Sequence, residues 1–155
     1  MHPNAELITR FYQAFNRGDA ATMRAAYQPD ATFSDQAFPG LKGEEVGDMW
    51  TMLVGRAKDF RLEFRDVQAD DARGQAHWEA WYLFGGQRRV HNVIDASFTF
   101  RDGRIATHVD HFDFWRWSRQ ALGLPGALLG WSGGLRRTVQ QRSRKLLDEY
   151  RKTQR

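Results

Sequence analysis

VHNVIDASFTFRDGRIATHVDHFDFW, residues 90–115, contains two runs of alternating apolar and polar side chains on either side of Asp102-Gly103. Alternation of this kind marks a half-buried strand, and Asp-Gly is a two-residue hairpin turn that accepts positive φ at little cost. The segment therefore reads as a hairpin of two strands, 90–100 and 105 to about 115. Upstream, Phe60 to Ala69 and Gln75 to Phe84 alternate in the same way, with Asp70-Asp71 between them and Gly85-Gly86 leading on toward Val90. Four consecutive strands joined by short turns form an antiparallel meander.

Side chains two apart share a face of a strand. If Phe98 and Phe100 point inward, so do Val90, Asn92 and Ile94, while His91 and Asp95 point out. On the next strand Phe112 carries Asp110 and His108 inward, opposite His111 and Asp113. Trp78, Ala80 and Tyr82 share one face of the Gln75–Phe84 strand, and Trp81 stands on the other.

The chain ahead of the meander changes period. Leu7, Ile8, Phe11 and Phe15 recur at helical spacing, so a helix covers about 4–16 and stops at Asn16-Arg17-Gly18. Asp19 caps a short second helix carrying Met23, Ala26 and Tyr27, which Pro29 ends. Ala31 to Asp35 reads as a short strand, Phe38-Pro39-Gly40 as a loop, and Gly43-Glu44-Glu45 as the start of a third helix bearing Val46, Met49, Trp50 and Leu53. Helices first and strands afterwards indicate an α+β domain. At 155 residues the chain suits one domain, able to bury roughly two-thirds of its unfolded surface.

Arg10-Phe11-Tyr12-Gln13-Ala14-Phe15-Asn16-Arg17-Gly18-Asp19 and Asp30-Ala31-Thr32-Phe33-Ser34-Asp35, in that element order, resemble the nuclear transport factor 2-like superfamily. Within it the chain is similar to the SnoaL-like and ketosteroid isomerase-like branch, whose last hairpin Phe98-Thr99-Phe100-Arg101-Asp102-Gly103-Arg104-Ile105 also matches. The resemblance covers about residues 4–114 and implies a cone: N-terminal helices against a strongly curved antiparallel sheet. The domain is thus expected over 1–114, with 115–155 as a basic helical extension of it. The resemblance places the isomerase's general base at Asp35. It places the oxyanion tyrosine at Phe11 and the protonated aspartate at Ala96, neither of which can donate, so steroid isomerisation is not expected.

Three residues carry the candidate acid–base chemistry: Asp35, His108 and Asp110. A carboxylate, an imidazole and a second carboxylate suit removal and return of a proton beside a carbonyl. Equally, His108 and Asp110 read as the cap of a polar network or as facing a dimer partner, and Asp35 as the cap of its turn. Phe11, Trp50, Trp78, Tyr82, Asn92 and Phe112 are the candidate ligand-binding wall, and most of these residue types at these spacings also occur as plain core. Two functions follow: a cofactor-independent isomerase, cyclase or dehydratase-like enzyme acting on a small apolar carbonyl compound, or a non-catalytic binding module. No cofactor and no metal are expected, since there is no cysteine and no HxxxH spacing.

From Trp115 onward ten basic residues face two acids, a net +8, which leaves −4 on residues 1–114 out of the total of +4. Leu135, Val139, Leu146 and Tyr150 mark this tail as an amphipathic helix that packs on the domain or on a second subunit, its arginines outward. Specific nucleic-acid binding is not expected, because no nucleic-acid motif is present. Anionic membrane or nucleic acid are the minor alternatives for the tail. The outer sheet face, with Trp81, His91 and Asp95, is the expected homodimer surface, and the N-terminus lacks a secretion signal, so a cytoplasmic protein is expected.

Overall fold

The computed structural model describes residues 1–154; Arg155, the last of the tail's basic residues, lies outside them. Helix α1, Pro3–Asn16, starts with Pro3 in its first turn and His2 as the cap that accepts from the Asn4 N–H. It buries Ile8, Phe11, Tyr12 and Phe15, and the chain turns at Gly18 with φ +75°. Asp19 caps α2, Ala20–Ala25, by accepting from the Thr22 N–H. Tyr27, expected on that helix, instead opens strand β1, Tyr27–Ser34. Pairing along a neighbouring strand overrides the weak helical period there.

Strand β2, Leu41–Lys42, is a short edge partner of β1, and α3 spans Glu44–Arg56. The meander follows as β3 Arg61–Ala69, β4 Arg73–Phe84, β5 Arg88–Arg101 and β6 Arg104–Phe112. Both two-residue turns have positive φ at each central position: +61° and +75° at Gly85 and Gly86, +52° and +76° at Asp102 and Gly103. The sheet order is β2-β1-β6-β5-β4-β3. Because β1 joins β6 in parallel, the six-stranded sheet is mixed rather than wholly antiparallel. A parallel neighbour requires a long crossover, and local alternation carries no trace of it.

The last strand ends at Phe112 rather than near Trp115, because Asp113 caps a new helix by accepting from the Arg116 N–H. Helix α4, Phe114–Leu122, then takes the place β6 vacates beside β5. There the Gln120 side chain bonds both the N–H and the C=O of His91, at 2.7 and 3.1 Å, as a neighbouring strand would. Helix α5, Leu124–Leu129, crosses it so closely that a Cβ on Gly126 would lie 1.9 Å from the Ser118 carbonyl oxygen.

Helix α6, Gly133–Thr153, docks on α3 with Leu147 fully buried and Leu135, Val139, Leu146 and Tyr150 packed on the core. Not all of its arginines point outward. Arg144 pairs with Glu45, and Arg151 with Asp48 at 2.9 Å. The acids of α3's first turns meet the positive flank of the incoming helix, so the docking is electrostatic as well as apolar.

Candidate functional site

His108, on β6 opposite Phe98, is 1% exposed. Its ring is enclosed by those of Phe98, Phe33 and Phe11, with centroids 4.4, 5.0 and 5.9 Å away. Both ring nitrogens have partners: Nδ1 lies 2.7 Å from the Tyr27 hydroxyl and Nε2 2.8 Å from Asp110 Oδ1. The Trp50 indole N–H donates to the Tyr27 oxygen at 2.9 Å. One assignment satisfies the whole chain: Tyr27 donates to Nδ1, and His108 donates from Nε2 to Asp110 Oδ1. Trp78 adds a longer donation to the same Oδ1, at 3.4 Å.

Asp110 also helps line an open pocket of about 570 Å³ where the ends of β1 and β6 meet α4, together with Asp35, Gln36, Phe112, Trp131 and Arg136. Asp35 follows β1 directly. Its Oδ1 accepts from the N–H groups of Ala37 and Phe38 at 2.7 and 2.6 Å, which fixes the turn. Burial raises its pKa to about 6 against the pull of those two donors, and the Asp110 charge adds to the rise. Tyr82, near enough to Asp35 to feel its charge, accepts from the Trp117 indole at 2.9 Å; burial pushes its hydroxyl up to about 12.

Of the three candidate catalytic residues, Asp35 and Asp110 thus share a pocket, and His108 stands behind Asp110, sealed from it. No hydrogen bond links Asp35 to either of the others among the described residues. Of the candidate ligand-binding wall, Phe112 lines the pocket, whereas Tyr82 is outside its lining and bonded to Trp117. Phe11, Trp50 and Trp78 are core residues, packed around His108, Tyr27 and Tyr12. Asn92 is half-buried in the inward column of β5, paired with Ala80 of β4.

Tyr27, Tyr12 and Trp117 escaped the sequence reading. The sequence spacing puts Tyr27 on a helix. Tyr12 follows Phe11 on α1 and shares the buried face with Ile8 and Phe15. Its hydroxyl is buried without a hydrogen-bond partner, and burial together with the nearby Asp110 charge holds its pKa well above the usual phenol value. The groups missing at Phe11 and Ala96 have neighbours of the right chemistry: Tyr12 follows Phe11 in sequence, and Asp110 is the cross-strand partner of Ala96.

The family model for the SnoaL-like domain matches residues 8–108, from the middle of α1 to the buried histidine of β6. This chain belongs to that family. Three solved structures share its fold. An LEH-like epoxide hydrolase of M. tuberculosis is 22% identical over 82% of this chain and 96% of its own, with a TM-score of 0.67. A nuclear transport factor 2-like protein of unknown function from Burkholderia pseudomallei is 19% identical over 78% and 98%, with a TM-score of 0.68. A protein from Xanthomonas campestris described as a candidate polyketide cyclase is 21% identical over 77% and 96%, with a TM-score of 0.65. At such identities the likeness is one of fold. No curated protein matches the sequence. None of the helices among the described residues is long and apolar enough to cross a membrane.

Proposed function

We propose that this SnoaL-like domain is a cofactor-independent acid–base enzyme, of the isomerase, cyclase or dehydratase kind, acting on a small apolar carbonyl compound held in the pocket that Asp35 and Asp110 line. The observation that carries the reading is Asp35: a carboxylate with its pKa raised to about 6, in the wall of the pocket that Asp110 also lines. A base of that pKa is mostly ionised at neutral pH, yet strong enough to take a proton from carbon beside a carbonyl. Asp35 removes the proton and returns it. Asp110 lines the pocket, with His108 as a positioning residue behind it.

One observation favours a non-catalytic binding module instead. Asp35 Oδ1 already serves two backbone N–H groups, as an ordinary turn carboxylate does. A thermal-shift screen of small carbonyl compounds, followed by turnover assays on the binders, separates the two. In the enzyme, Asp35→Asn lowers turnover by about 10²-fold or more and leaves the Kd nearly unchanged. Binding with no turnover by the wild-type protein, or full turnover by Asp35→Asn, rejects Asp35 as the base.

The same reading includes a homodimer through the outer sheet face. There Trp81 stacks on His91 at 4.5 Å beneath the Arg61 guanidinium, a platform on which a second subunit can rest. Light scattering is expected to give twice the chain mass; a monomer at micromolar concentration removes the dimer from the proposal.

A further inference from the structure

The corner where α4 meets α5 leaves large apolar side chains in water. Leu124, Leu128, Leu129 and Trp131 are 70, 61, 51 and 77% exposed, and Trp115 beside them is 39% exposed. Residues 122–135 contain no charged side chain, whereas Arg116 and Arg119 precede the stretch and Arg136 and Arg137 follow it. The corner is held rigid. Gly126 and Gly130 let α5 press against Ser118 of α4, Trp115 donates to the Ala127 carbonyl at 3.0 Å, and Trp131 donates to that of Leu128 at 2.8 Å. A stiff support that faces this many leucines outward is not the disorder of a loose chain end.

Beside this patch lies a second cavity, of about 750 Å³, lined by Gln87, Arg88, Arg89, Arg116, Arg119 and Gln120 and by no acid. Its members converge on the apolar corner. A Cβ on Gly123, the residue before Leu124, would lie 3.1 Å from a guanidinium nitrogen of Arg88, and Arg119 lies over the Trp115 ring at 3.8 Å. Arg89 has an exposed partner in Asp59 at 3.6 Å, and Arg116 a neighbour in His91 at 3.2 Å. Neither contact fills the cavity.

We propose that this corner docks on an anionic lipid surface: Leu124, Leu128, Leu129 and Trp131 enter the interfacial layer, and the arginine-lined cavity takes headgroup phosphates. Uncharged apolar residues ringed by arginine are what an interfacial anchor requires, with the apolar face in the acyl boundary and the cations at headgroup level. Charge complementarity selects lipid over a second copy of this chain, since a copy seated on the same corner brings two arginine frames together. The attachment lies on the bilayer and does not span it; Trp115 and Trp131 also line the Asp35 pocket, so docking is read by vesicle binding rather than by turnover.

Co-sedimentation with vesicles of phosphatidylcholine alone and of phosphatidylcholine mixed equally with phosphatidylserine tests this. The protein is expected to bind the mixed vesicles, to release as salt rises, and to bind the neutral ones far more weakly. Leu128→Ser with Leu129→Ser, both at exposed positions, should weaken binding at least tenfold. Arg119→Gln should weaken it about fivefold. Failure of the wild-type protein to bind either vesicle overturns the proposal, as does unchanged binding by the leucine variant. Two further outcomes also overturn it: inorganic pyrophosphate bound at the arginine cavity while vesicles are not, which makes it a small-anion site, and a dimer that the leucine variant dissociates without vesicle binding, which makes the patch a subunit face.

Discussion

Two carboxylates that line one pocket live in different surroundings. Asp110 is 3% exposed and joined to a sealed line of Trp50, Tyr27 and His108, in which each donor has one acceptor. Asp35 sits at the rim, in a turn, in contact with an open pocket. The sealed line resists change because its polar groups satisfy one another, and the rim carboxylate is perturbed because burial penalises its charge with only two N–H groups in compensation. Chemistry that must meet a substrate belongs at the rim, and the sealed line belongs to architecture that holds one wall of the rim in place.

Cutting the sealed line should have the largest effect. His108→Leu leaves the Tyr27 hydroxyl without its acceptor and the Asp110 carboxylate without its shortest donor, and is expected to cost about 3–5 kcal/mol. Urea denaturation reads this directly. A loss nearer 1 kcal/mol would mean that water from the pocket reaches Asp110, and would erase the contrast between the two regions.

At the rim the expected effect is smaller and depends on pH. The folded pKa of Asp35, about 6, lies above the unfolded carboxylate value of 3.8. Folding therefore favours the protonated form, and that contribution is fully present below pH 3.8 and lost as pH rises through about 6. Asp35→Asn, which keeps an oxygen for the turn, escapes the loss. It should be about 1–3 kcal/mol more stable than wild type at pH 8 and equal to it below pH 4. Stability curves of the two proteins that stay parallel across this range would mean that Asp35 is not perturbed.

The smallest effect is expected at Tyr12, whose buried hydroxyl has no partner. Tyr12→Phe removes an unsatisfied group without opening a cavity, so stability should be unchanged or rise by about 1 kcal/mol. A clear loss on thermal denaturation would reveal a water or ligand bound to that hydroxyl, and would extend the pocket inward from Asp110.

Much of this molecule is legible in its residue order alone. The meander, its Gly-Gly and Asp-Gly turns, α1, α3 and the inward column of His108, Asp110 and Phe112 all follow from periods of two and 3.6, because hydrophobic spacing records which face each element buries. The site is less legible. Only the parallel pairing of β1 with β6, made across more than seventy residues of chain between Tyr27 and Ile105, turns Tyr27 from a helical residue into the partner of His108. Likewise, nothing local says that α4 replaces β6 beside His91, that α3's acids turn Arg144 and Arg151 inward, or that α5 crosses α4 with its leucines in water. Those are matters of which surfaces meet. Periodicity reports that a face is covered, whereas the partner that covers it is chosen by contacts between residues far apart in the chain, and those exist only once the whole has folded.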